Sequence, residues 1–237
     1  MRVAGLTRET GRGLLRMNDM PFSELRKAMV DSQIRPNKVI DEEVIAAFAS
    51  VPRELFVSRQ MQNLAYIDED IPLSGGRYII EAMVMARMIQ ALALEKTDNV
   101  MSIGAGTGYG SAILSSLVTS VIAIETRTPM VEKAQQIVAG LDIGNVAVVK
   151  SRLQDGYPSE APYQAIIIEG SVEHVPATLF EQLSEGGRLV SVLRPHNSEV
   201  GEATLWQKQD GHVSAKSLFT AQVPVLDEFK VKPKFTF

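Results

Sequence analysis

The sequence predicts an α/β fold: a doubly wound, mostly parallel sheet with an N-terminal helical extension and a C-terminal antiparallel hairpin. Three observations carry that expectation. Short apolar, β-branched runs at 100–103, 121–124, 146–149, 165–168 and 189–193 alternate with helical patterns, as strands covered on both faces do. A glycine cluster, Gly104-Ala105-Gly106-Thr107-Gly108, sits where the first of these runs meets a helix. Beyond 200 the character changes, and runs at 203–207 and 213–220 flank Gln209-Asp210-Gly211, a hairpin signal.

Each element has a local reason. From 21 to about 60 the pattern is helical. Asp41 is placed to cap a helix whose first turn holds Glu42 and Glu43, with Val44, Phe48 and Val51 on one face and Pro52 as its stop. Residues 68–76 are acidic, then rich in Pro and Gly, and read as a loop. A helix is expected over 78–94, its methionines serving as core filler. Residues 109–118 read as the helix after the glycines. Thr128 is expected to cap the next helix, with Pro129 at its first position and a stop near Gly140. A further helix is expected over 175–183, closed by Gly186 and Gly187. Strand–helix alternation implies right-handed crossovers, hence an open doubly wound sheet.

Composition bounds the function. The 237 residues suit one domain with an extension, expected as 1–20 (disordered) and 21–237 (the domain). Arg2, Arg8, Arg12 and Arg16 allow a basic targeting segment as the other reading of the first stretch, although it lacks the apolar core of a secretory signal. The absence of cysteine excludes disulfides, thiolate metal sites and cysteine nucleophiles. A net charge of -4 argues against nonspecific nucleic-acid binding, and no apolar run approaches the ~20 residues of a membrane span. His174, His196 and His212 show no metal-ligand spacing, so no metal is expected.

The glycine cluster carries the chemistry. A side chain there would block the tight turn and hold the backbone away from a ligand. A dinucleotide fingerprint wants its third glycine three positions after the second, which is Tyr109 here. The third glycine is instead Gly108, giving G-x-G-x-G, the form of class I methyltransferases on a Rossmann-like sheet. Glu125 ends the next strand roughly 20 residues on, where an acid can accept both ribose hydroxyls. Gly104, Ala105, Gly106, Gly108 and Glu125 are therefore the candidate cofactor-binding residues; no catalytic residue is singled out.

From about Met29 onward the chain resembles the protein-L-isoaspartate O-methyltransferase family. The resemblance rests on Val51-Pro52-Arg53-Glu54-Leu55-Phe56-Val57 with Leu64-Ala65-Tyr66, on Glu160-Ala161-Pro162-Tyr163, and on the stretch around the glycine pair at 183–190. It implies S-adenosylmethionine as cofactor at the carboxyl ends of the strands and a cytoplasmic enzyme. The implied acceptor is a protein or peptide carrying isoaspartate, its carboxylate arriving over the loop at 71–81. Four positions depart from the family. Its loop Gly-Gln-Thr-Ile-Ser-Gln-Pro reads Gly76-Arg77-Tyr78-Ile79-Ile80-Glu81-Ala82, so Ile80 replaces the serine. Ser102 replaces the acid two residues before the first glycine. Ser151-Arg152-Leu153 replaces Gly-Asp-Gly, removing the acid near the adenine. Glu169 adds a charge expected to lie near the reaction centre and to repel an anionic substrate.

Methyl transfer from a sulfonium depends on alignment, and a carboxylate nucleophile needs no general base. One polar group left unpaired costs about 1–3 kcal/mol, or roughly ten- to a hundredfold in binding. Arg77 could compensate by pairing with a carboxylate through its fork. Three readings stay open: the isoaspartyl methyltransferase, a methyltransferase with another carboxylate acceptor such as a small acid, and a weak or inactive relative with a binding or regulatory role.

Overall fold

The computed structural model describes residues 20–231. The expected extension lies outside the described residues apart from Met20.

The N-terminal layer is α1 (Phe22–Met29), a π turn at Val30–Ile34, and α2 (Glu42–Ser50), followed by 3-10 turns at Arg53–Phe56 and Arg59–Leu64. Asp41 caps α2 as expected, its Oδ1 accepting from the N–H of Glu43 (2.9 Å) and of Val44 (3.2 Å). Next comes a small hairpin, β1 (Ile71–Pro72) and β2 (Tyr78–Ile79), and then α3 (Ala82–Ala91). The expected helix over 78–94 is thus shorter at both ends. Gly75 and Gly76 adopt positive φ and turn the chain back, so Tyr78 and Ile79 pair with Pro72 and Ile71 instead of starting a helix. Met85 and Met88 are buried core residues, as their type suggested.

The main sheet contains β3 (Asn99–Ile103), β4 (Ser120–Glu125), β5 (Val146–Lys150), β6 (Tyr163–Val172), β7 (Leu183–Leu193), β8 (Gly201–Gln209) and β9 (His212–Ala221). Between these lie α4 (Tyr109–Ser115), α5 (Thr128–Gly140) and α6 (Ala177–Glu181). The strand order is β5-β4-β3-β6-β7-β8-β9, parallel from β5 to β7 and antiparallel thereafter. Asp210 and Gly211 both take positive φ, the conformation of the tight β8–β9 hairpin turn. Two local expectations fail. The residue preceding α5 is Arg127, with no side-chain cap, because Thr128 already lies in the helix and its hydroxyl accepts from Lys150. The helix expected over 175–183 is only α6, since Leu183 opens β7 and Gly186 and Gly187 fall within that strand.

Alternation along the strands divides the core. Val100, Val121, Ala165, Ile167 and Val190 face the N-terminal helices, α3 and α4. Met101, Ile103, Ile166, Ile168 and Leu189 face the other side, with Leu153, Leu179, Leu226 and Phe229. The chain winds from β3 outward through β4 and β5, then returns to place β6 on the other flank of β3. The crevice above the carboxyl ends of β3 and β6 is therefore the topological switch point, the ligand position in open α/β sheets.

After β9 the segment 222–231 runs back across that crevice, a course that no pattern in the sequence anticipates. Ser171 donates its N–H to Pro224 O (3.0 Å), its O accepts from Leu226 N (3.0 Å), and its hydroxyl donates to Val223 O (2.5 Å). Ser171 also pairs with Val192 of β7, so at this point β6 is held on both sides.

Candidate functional site

Gly104-Ala105-Gly106-Thr107-Gly108 leaves β3 at the switch point. All three glycines have positive φ (76°, 56° and 93°), which an L side chain rarely adopts. The loop is tied down by its own chain. Gly104 and Ala105 donate to Ile124 O (3.0 and 3.2 Å), Gly108 donates to Ala105 O (2.8 Å), and Thr107 Oγ1 donates to Phe56 O (2.6 Å). Gly108 brings the loop against α5, where an added Cβ would lie 3.3 Å from that of Ala134.

Glu125, at the tip of β4, is fully buried and every one of its acceptor directions is used. Its Oε2 accepts from the N–H of Gly106 (3.2 Å) and from Arg77 Nε (2.8 Å). Its Oε1 accepts from Thr126 N (2.7 Å), Arg127 N (3.1 Å), Thr126 Oγ1 (3.1 Å) and Arg77 Nη2 (3.0 Å). The carboxylate expected to hold a ribose thus holds a guanidinium in a two-pronged pair.

Arg77 comes from the loop between β1 and β2, aimed inward because Gly75 and Gly76 make the turn and Leu73 N–H closes it onto Arg77 O (2.8 Å). Its side chain is 1% exposed. The other side of its fork meets Glu228 of the returning segment, with Nη2 to Oε1 at 2.7 Å and Nη1 to Oε2 at 3.1 Å. Burial works against the charge of Arg77, but the bonds to Glu228 and Glu125 prevail and hold its pKa above the ordinary arginine value. Glu228 is depressed: burial would raise it, and the Arg77 bond outweighs that. Leu226 of the same segment sits on the glycines. An added Cβ would be 3.2 Å from its Cδ1 at Gly104 and 2.6 Å from its Cγ at Gly170.

Ser102 and Glu169, two separate departures in the sequence, form one unit here. Ser102 Oγ donates to Glu169 Oε1 at 2.5 Å, across the β3–β6 pair, and Ser111 Oγ donates to Ser102 Oγ at 3.3 Å. Glu169 stands beside Ser102 at the carboxyl ends of β3 and β6, with its side chain turned into the protein. It is buried beneath α4 against Gly110 and Met85. Burial pushes its pKa up to about 8 despite the Ser102 bond, with the Glu125 charge adding to the rise. At neutral pH it is therefore mostly a neutral carboxyl and offers no standing charge to repel a substrate.

Two open clefts flank the returning segment. One, of about 940 Å³, is lined by Thr126, Arg152, Leu153, His174, His196 and Glu228 among others. The second, of about 610 Å³, has Gly76, Tyr78, Arg194, His196, Asn197 and Ser198 in its walls. His174, just after β6, lines the first of these clefts. Gly104, Gly106, Gly108 and Glu125 line neither cleft.

The protein-L-isoaspartate(D-aspartate) O-methyltransferase family model matches residues 24–229. The chain belongs to this family, whose members use S-adenosylmethionine. A protein-L-isoaspartate O-methyltransferase from Methanoculleus marisnigri is 33% identical over 210 residues, covering 88% of this chain and 94% of its own. A solved protein-L-isoaspartate O-methyltransferase superposes with a TM-score of 0.75 at 26% identity, over 87% of this chain and 66% of the other. The fold is shared as well by a Plasmodium falciparum structure described as a complex with S-adenosyl-L-homocysteine (TM-score 0.70, 18% identity, 87% and 98% covered).

The residues present fit that cofactor in kind: a positive-φ glycine turn at the switch point and an acid at the next strand tip. Here the chain's own Arg77 is bonded to that acid, and Leu226 packs beside Gly104. Glu228 and Leu226 are the site residues that the sequence did not reveal. They lie more than 100 residues from the glycines and Glu125, and no local spacing connects them.

Proposed function

We propose that this protein is an S-adenosylmethionine-dependent carboxyl methyltransferase acting on isoaspartyl residues of proteins or peptides in the cytoplasm. One observation carries the reading: in a chain of this family, the glycine turn stands at the switch point with Glu125 beside it. When bound, S-adenosylmethionine supplies an electrophilic methyl on its sulfonium. Gly104 and Gly106 would allow close backbone approach, and Glu125 is the acid that would accept the ribose hydroxyls in place of the Arg77 guanidinium. The cleft beside the 71–81 loop, with Gly76, Tyr78, Arg194 and His196, is the acceptor side. The Arg194 guanidinium there suits a carboxylate. A carboxylate acceptor carries its own nucleophilic oxygen pair, so alignment is the main requirement on the protein.

The test is transfer of labelled methyl to an isoaspartyl peptide and to its aspartyl twin, read as base-labile ester. Ester on the isoaspartyl peptide alone is expected. Gly106→Val should abolish it, since a side chain there needs a strained φ and its Cβ would stand 3.0 Å from Leu73 Cδ1. Ester on a different carboxylate only would move the acceptor, and no ester on any carboxylate at saturating cofactor would overturn the enzymatic reading.

A further inference from the structure

Arg194 N–H donates to Val172 O (2.9 Å), so the chain leaving β7 stays beside the chain leaving β6. It then turns at once. Ser198 N–H donates to Pro195 O (2.9 Å), and Asn197, the third residue of that turn, has a φ of 65°, which asparagine tolerates better than most side chains. Arg194 braces the turn, with Nε donating to Ser198 O (2.8 Å) and Nη1 to Val223 O (3.4 Å). The guanidinium is thus held by backbone carbonyls, which position a charge without neutralising it. Its Nη2 has no partner, and the group no carboxylate, among the described residues. Lys230, in the wall of the same cleft, is by contrast paired with Asp227 (2.6 Å).

His196, the second residue of the turn, lines that cleft as well. Its Nδ1 lies 3.0 Å from Glu173 Oε1, and Glu173 Oε2 accepts from Val231 N–H. The Val231 bond and the His196 bond hold the Glu173 carboxyl below its ordinary range. An ionised carboxylate can only accept, so the imidazole proton sits on Nδ1 and Nε2 of the neutral ring is an acceptor. One braced turn therefore offers the cleft a cationic donor and, two residues on, a neutral acceptor.

We propose that this turn reads the methyl acceptor at two points: Arg194 takes its free carboxylate, and His196 Nε2 takes the peptide N–H on the same carbon, with Glu173 as the positioning residue that fixes the ring. The inference rests on the acceptor side assigned above and names the groups recognised there. An isoaspartyl residue carries both groups on its α carbon, because the chain continues through the side-chain carboxyl. In an aspartyl residue the free carboxylate lies one C–C bond, about 1.5 Å, farther from the N–H. A rigid turn set for the first spacing leaves one of its groups unpaired with the second, and an unpaired polar group is what gives such a site its selectivity.

Calorimetric titration of the full chain with three peptides, all amidated at the carboxyl terminus, tests this without turnover. They are an isoaspartyl peptide, its analogue with an ester oxygen in place of the α N–H, and its aspartyl twin. Wild type is expected to bind the isoaspartyl peptide roughly tenfold more tightly than either of the others. His196→Phe keeps a ring at this exposed position and should bind the isoaspartyl peptide and the ester analogue alike. Arg194→Gln should weaken the isoaspartyl peptide by roughly ten- to a hundredfold while keeping the preference over the ester, and Arg194→Lys should recover part of the loss. If Arg194→Gln unsettles the turn, His196→Phe decides, since a merely structural histidine would not set the ester penalty. Equal binding of the three peptides by wild type, binding of none, or an ester penalty that survives His196→Phe would overturn the two-point site. Labelled-methyl transfer separates this from the enzymatic reading. Transfer with the penalties unmoved would remove only the roles of Arg194 and His196, whereas selective binding without transfer would leave the two-point site and remove the enzyme.

Discussion

Glu169→Gln isolates a buried carboxyl by changing one atom. Glu169 is enclosed by β3, α3 and α4, with a 2.5 Å bond from Ser102 Oγ, and its pKa rises from an ordinary value near 4.5 to about 8. In the unfolded chain it ionises near the ordinary value. Between about pH 4.5 and 8 the native state therefore holds a proton that the unfolded state has released. Stability depends on pH through that difference, and where the unfolded state binds fewer protons it falls as pH rises. The slope is about 1.4 kcal/mol per pH unit at full difference, so several units of pH remove a few kcal/mol. The contribution is complete below the unfolded value and lost as pH climbs towards 8. Glutamine keeps the size and an oxygen for the Ser102 hydroxyl but cannot ionise. Urea unfolding from pH 5 to pH 9 should show the two proteins within about 1 kcal/mol of each other at the acid end and the variant more stable by a few kcal/mol at the alkaline end. Glu81, raised to about 7 by burial and by its neighbours Asp68, Asp70 and Glu69, falls in the same window, and the difference between the two proteins removes its share. Parallel profiles, with a constant gap at every pH, would refute the assignment of a neutral buried carboxyl.

Two further outcomes concern the N-terminal layer. Arg53 is fully buried, with Nε donating to Ala65 O (2.7 Å), Nη2 to Ile80 O (3.0 Å) and its guanidinium 4.8 Å from the Tyr109 ring centre. Arg53→Ala leaves two buried carbonyls without those donors and opens a cavity, so a loss of about 3–5 kcal/mol is expected in urea unfolding. Arg53→Lys should recover only part of that, because an ammonium lacks the fork that reaches both carbonyls. Asp41→Ala removes the two bonds that cap α2 and should lower unfolding stability by about 1 kcal/mol without altering cofactor affinity.

The features legible in the sequence are those that sequential neighbours determine. The strand–helix alternation, the glycine turn with Glu125 beside it, the Asp41 cap and the Asp210-Gly211 hairpin all depend on residues a few positions apart, or on one βαβ unit, and each is found where its pattern placed it. Family membership was legible for the same reason, since contiguous blocks such as 51–57 survive intact. Tertiary packing settled the rest. Ser102 and Glu169, 67 residues apart, read as two unrelated departures until β3 and β6 lay side by side and made them one hydrogen-bonded pair. Arg77 was free to seek any carboxylate until the fold delivered Glu125 from 48 residues away and Glu228 from 151. The course of segment 222–231 left no trace in the sequence because it is held by pairing with Ser171 and by burial of Leu226 and Phe229 in the core, contacts that exist only after the sheet has formed. Propensity and spacing describe the chain's short-range preferences, whereas which charge neutralises which is fixed by the packing of distant segments.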